Sequence, residues 1–127
     1  MGRLHTITPA QATGRTGELY AAITKTVGKV PNIYQGLGNS AIALEGVLHA
    51  DGLLKQGQLS GGEIEAIKLA VSEEYGCQYC LAAHTLLGKH GGLSDAEIIG
   101  SRRGEVGTPR LDTLVKFVKA VLQPQAR

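Results

Sequence analysis

SGGEIEAIKLAVSEEYGCQYCLAAH, residues 60–84, decides how this chain is read, because it holds a helix start, a helix stop and both cysteines of the protein. Ser60 followed by Glu63 is a capping box. The serine side chain accepts the third helical N–H while the glutamate reaches back to the serine amide. A helix is expected to start there, with Ile64, Ile67 and Val71 as its apolar stripe and an end near Tyr75. Gly76 interrupts the pattern, and a further helix carrying Cys77, Cys80 and His84 runs until Gly91-Gly92. At ~100° per residue the two thiols and the imidazole fall within an arc of about 60°, on one face of that helix.

Three such groups on one face point to thiol chemistry. A free cysteine, with a pKa of roughly 8.5, is mostly protonated near neutrality and needs activation. Two sources are legible. The break at Gly76 places the cysteines in a first helical turn, where unpaired N–H groups and the helix dipole favour an anion. His84, one turn beyond Cys80 and two beyond Cys77, could accept a thiol proton. The helix terminus favours Cys77 as the thiolate, whereas the i,i+4 spacing pairs His84 with Cys80. An inert cysteine pair and a zinc site are the alternatives, but zinc would need His84 with His90 or Glu65 to complete an unusual ligand set. Haem attachment would need His where Leu81 stands, and a thioredoxin-like motif would need a preceding strand.

Outward from this segment the same punctuation recurs. Towards the N-terminus, residues 1–15 lack strong periodicity and are expected to form an arm. Residues 16–127 make up one helical domain. Apolar spacing from Thr16 to Val27 predicts a helix stopped by Gly28 and Pro31. A second is expected from Asn39 or Ser40 to about Lys55, carrying Ile42, Leu44, Val47, Leu48 and Leu54. Ser94 to Glu97 forms another capping box and opens a short helix to about Ile99. Leu111, Leu114, Val115, Val118 and Leu122 mark the last helix. No segment alternates with period two, so the fold class is all-α, with about six helices.

Composition narrows the function. With 43% apolar residues, one Phe and no Trp, Ala, Leu, Ile and Val must fill the core. The formal charge of +2, with the signs interspersed, gives no basic stripe for nucleic acid. No apolar span suits a membrane and no leader is visible, so a cytoplasmic protein is expected, in which a C-x-x-C pair is more plausibly catalytic than structural. No organic cofactor is indicated, since a phosphate-binding Gly loop in strand-turn-helix context is lacking. Lys68 reads as a surface lysine, and His5, His49 and His90 as structural or exposed. Tyr75 and Tyr79 read as packing residues, Tyr79 being the better candidate to line a thiol pocket. Glu73 and Glu74 stand at a helix end that disfavours acids.

Glu65 lies off the apolar stripe and alone would read as a solvated carboxylate. Yet Glu65, Cys77, Cys80 and His84 resemble the E-x11-C-x-x-C-x3-H signature of the AhpD-like alkylhydroperoxidases in the carboxymuconolactone decarboxylase superfamily. Val30-Pro31-Asn32, the Ser60 capping box and the Gly-Leu-Ser-Asp-Ala-Glu-Ile turn extend the likeness over roughly residues 17 to 122. The resemblance implies an all-helical fold, homo-oligomers such as trimers or hexamers, and a Cys77/Cys80 pair that reduces hydroperoxides and is regenerated by a thiol reductant or redox partner protein. It implies Glu65 and His84 as proton relay and Cys80 as the sulfur that attacks peroxide. A Glu near a desolvated dithiol is expected to have a raised pKa. Two departures stand out: Tyr79 occupies the place of a second histidine, and many relatives continue through another helix pair beyond Gln123. Protein thiol–disulfide exchange, lactone decarboxylation and a metal-binding or redox-sensing module are the competing functions.

Overall fold

The computed structural model describes residues 3–123; the tips of the expected N-terminal arm and of the C-terminal tail, residues 1, 2 and 124–127, lie outside them. Every regular element among the described residues is a helix: α1 (Gly14–Val27), α2 (Asn32–Leu37), α3 (Ala41–Leu54), α4 (Gly61–Glu74), α5 (Gln78–His90), α6 (Asp95–Arg103) and α7 (Pro109–Leu122). The all-α expectation holds, with seven helices rather than six. The additional one, α2, is six residues long and fully buries none of them, so it has no stripe for periodicity to detect. The chain divides into two compact units after Leu54.

In the first unit, Leu19, Tyr20 and Ile23 of α1 pack with Val30 and with Leu44 of α3. Tyr20 anchors this cluster. Its hydroxyl donates to the Ile7 carbonyl at 2.9 Å and lies 3.1 Å from the Tyr34 carbonyl, tying the N-terminal segment and α2 to α1. Gly38 makes room for it, since a Cβ there would run into the Tyr20 hydroxyl. The expected stripe of α3 is corrected: Leu44 is fully buried, while Ile42, Val47 and Leu54 are exposed. Apolar residues occur all around α3, so periodicity could not single out the inward face.

In the second unit α4 packs against α5, α6 and α7. Ala66 and Ala70 meet Leu111 and Val115 of α7, while Leu69 meets Leu81 of α5 and Ile98 of α6. The buried surface of α4 therefore includes Ile64, Glu65, Ala66, Leu69, Ala70 and Ser72, and the predicted Ile67 and Val71 are only half-buried. A helix enclosed by three others has no single stripe. Both capping boxes form, at Ser60–Glu63 and Ser94–Glu97. Helix α6 outruns its expected end at Ile99 because Gly100 does not break it. That glycine is buried under the Glu105 carbonyl, which leaves no space for a Cβ. Glu73 and Glu74 are held from the facing helices, by Arg102 at 2.6 Å and Lys119 at 3.4 Å, which offsets their unfavourable place at a helix C-terminus. No described helix is long and apolar enough to cross a membrane.

Candidate functional site

The turn at residues 75–77 builds the site. Gly76 adopts φ 63°, its N–H donates to the Glu73 carbonyl at 3.1 Å, and the Cys77 N–H donates to the Ser72 carbonyl at 2.9 Å. This is the Schellman arrangement, in which a left-handed residue lets the last carbonyls of a helix be satisfied. Cys77 closes α4 in this way and simultaneously caps α5, its Sγ accepting the Cys80 N–H at 3.3 Å. An anion on Cys77 is stabilised there by the amide and by the helix dipole. The expected helical break at Gly76 is thus present, with Cys77 at the cap rather than inside the first turn.

Cys77 and Cys80 are joined by a disulfide. On the same helix, one turn past Cys80, His84 Nδ1 lies 2.7 Å from Glu65 Oε2 on α4. Close helix approach makes this contact possible. Gly88, one turn beyond His84, is buried where a Cβ would sit 3.8 Å from Glu65 Cβ and 3.3 Å from Leu93 Cδ1.

Glu65 is only 7% exposed. Its burial pushes the carboxyl pKa up, but the His84 hydrogen bond, the nearby charges of Lys68 and His84 and a Lys68 hydrogen bond outweigh this, leaving it below the ordinary carboxylate value. The expectation of a raised pKa is therefore overturned. Desolvation is as anticipated; the compensating partners were not counted. An ionised Glu65 can only accept hydrogen bonds, so Nδ1 of His84 carries the proton and donates, which leaves Nε2 as the second, unshared ring nitrogen. This hydrogen bond fixes the orientation of the imidazole.

The structure thus brings together Glu65 with His84, and Cys77 with Cys80, on one pair of helices. Lys68, expected as a surface lysine, joins this pair, its Nζ donating to Glu65 Oε1 at 3.4 Å. The i,i+3 spacing from Glu65 was the signal. Tyr79 is half exposed in the first turn of α5, and Tyr75 is more exposed still. His5, His49 and His90 are exposed, the last with Nδ1 donating to the Leu86 carbonyl at 2.9 Å. Among the described residues no three His, Cys, Asp or Glu side chains group as metal ligands.

Fold and site together define an all-helical protein whose C-x-x-C disulfide caps one helix and whose Glu–His pair bridges that helix to its neighbour. The sequence pattern of the carboxymuconolactone decarboxylase family matches residues 43–120, more than half of the chain, and the protein belongs to that family. No curated protein sequence matches it.

Proposed function

We propose that the protein is a thiol-dependent peroxidase that reduces organic hydroperoxides or hydrogen peroxide through a Cys77/Cys80 dithiol–disulfide cycle, in an antioxidant role. The observation that carries this reading is the helix-capping disulfide followed, one turn along α5, by His84 held at 2.7 Å from Glu65. In the reduced protein, His84 Nε2 takes the proton of Cys80. The Cys80 thiolate attacks the distal oxygen of the hydroperoxide, the O–O bond breaks, and the leaving alkoxide takes the proton from His84. Cys80 is then a sulfenic acid. Cys77, favoured as thiolate at the helix cap, attacks that sulfur, and the departing hydroxide is protonated to water as the disulfide closes. An external thiol reductant or redox partner protein restores the pair.

The family also includes lactone decarboxylases, whose activity does not depend on a cysteine pair. A second reading, disulfide exchange with a protein partner, is favoured by the exposure of Tyr75 and Tyr79, 70% and 50%, on either side of Cys77. In either reading a homo-oligomer, trimer or hexamer, covers part of the apolar surface left on α3 and α7.

The test is to mix the reduced, metal-free protein with one equivalent of cumene hydroperoxide and follow free thiols and mass. Loss of two thiols, with sulfenate trapped in Cys77→Ser but not in Cys80→Ser, is the expected result. Thiols that survive excess peroxide yet exchange with protein disulfides would replace the peroxidase with a thiol–disulfide relay.

A further inference from the structure

Within the second unit, Glu73 near the end of α4 faces Ile99, Arg102 and Arg103 of α6 across a cleft of ≈ 430 Å³. Small-molecule sites span about 300–1,000 Å³, so the cleft has the right size for one.

Its two guanidinium groups are unlike. Arg102 Nε donates to Glu73 Oε2 at 2.6 Å, which fixes that side chain and balances its charge. Arg103 is exposed and has no carboxylate partner among the described residues. Beyond it, Lys119 pairs with Glu74 at 3.4 Å and adds no surplus charge. One positive charge is therefore left over, beside an Ile99 side chain that is 47% exposed. A single unneutralised guanidinium suits a monoanion with planar oxygens, the geometry of a bidentate carboxylate. The Glu73 carboxylate disfavours a dianion such as a phosphate monoester, and Ile99 offers contact to an apolar body.

We propose that this cleft binds a monocarboxylate with an apolar body. Its position connects it to the disulfide: the Glu73 carbonyl that accepts the Gly76 N–H belongs to the residue forming the α4 wall of the cleft, and Cys77 follows directly. Resting on the peroxidase reading, the carboxylate belongs either to the hydroperoxide or to the thiol that reduces the disulfide. In the latter case one thiolate attacks the disulfide and forms a mixed disulfide while the other cysteine leaves as thiolate. A second thiolate then releases the first as a symmetric disulfide, so two thiols are oxidised for each protein disulfide reduced.

The oxidised protein is titrated with octanoate by calorimetry, with octanamide as the neutral control and Arg103→Ala as the variant. Saturable octanoate binding, weakened about tenfold or more in Arg103→Ala and absent for octanamide, is expected for a charge-assisted contact. No saturable binding, equal binding of octanamide, or an unaffected variant overturns the proposal. Two arms separate the sources. Reduction of the disulfide by 8-mercaptooctanoate against 8-mercaptooctanol reports the thiol, and turnover of a fatty-acid hydroperoxide against its methyl ester reports the peroxide. In the arm that uses the cleft, preference for the acid collapses in Arg103→Ala; acid and neutral forms reacting alike in both arms overturns the link to the disulfide. If neither hydroperoxide is consumed, the peroxidase reading fails while octanoate binding still decides the cleft.

Discussion

The two units bury their helices by different means. In residues 3–54, α3 is held through Leu44 alone among its fully buried side chains, and Ile42 is left 78% exposed. In residues 55–123, α4 is enclosed by three helices and buries seven residues, one of them the carboxylate of Glu65. Enclosure on several sides is what allows an acid to be desolvated and still ionised, because partners can arrive from a facing helix. His84 on α5 and Lys68 on α4 supply them, at 2.7 and 3.4 Å. In the first unit Arg15 pairs with Glu18 and Glu45 while itself exposed, and such pairs are worth little.

Four experiments bear on this contrast. The largest effect is expected from the cysteines: if the chemistry lives in the enclosed unit, Cys77→Ser or Cys80→Ser lowers peroxide turnover by ~10³-fold or more, measured under saturating reductant. Retained activity in both variants would favour a decarboxylase-type reaction. Next come the two buried leucines. Leu69→Ala and Leu44→Ala each remove a side chain with 0% exposure and are expected to cost about 2–5 kcal/mol by urea unfolding. The smaller loss should fall on Leu44→Ala if the sparser surroundings of α3 collapse more readily into the space.

Glu65→Gln is expected to reduce turnover by about 10²-fold, since the amide no longer fixes the imidazole as a proton acceptor. It also has a pH signature. The folded pKa of Glu65 is lowered, so its contribution to stability is complete above the unfolded carboxylate value of about 4.3 and is lost as pH falls through the folded value. The gap in urea midpoint between wild type and Glu65→Gln should therefore be widest near neutrality and close as pH falls through the lowered folded value. A gap independent of pH would show that packing, not charge, sets the variant's cost. The smallest effect belongs to a pair of glycines in the first unit. Gly38→Ala forces the buried Tyr20 hydroxyl aside, for a loss of ~1–3 kcal/mol, whereas Gly36→Ala meets open space and is expected to be neutral or to stabilise α2 by up to about 1 kcal/mol in thermal melts.

Local signals were the legible part of this molecule. The Ser60 and Ser94 capping boxes mark the first turns of α4 and α6, and Gly76 marks the junction before α5, because each acts through atoms a few residues apart. Pro109, at the first turn of α7, is a signal of the same local kind, two residues ahead of Leu111 where the apolar stripe begins. Features decided by distant neighbours were not legible. The apolar spacing points Ile67 inward and does not single out Leu69, since nothing in the spacing tells that three helices will surround α4. Burial of Glu65 and its 19-residue reach to His84 came only through the resemblance to a signature. The lowered pKa of that carboxyl was missed because desolvation can be guessed from a motif, whereas the geometry of its compensating partners cannot.

The central place of α4 also has a consequence for synthesis. Ribosomes deliver the chain from its N-terminus at ~5–20 residues per second, so α4 is complete for several seconds before the whole of α7 exists. For most of that interval Leu111 and Val115 of α7 are not there to cover Ala66 and Ala70. A nascent chain in this state presents an apolar surface to chaperones.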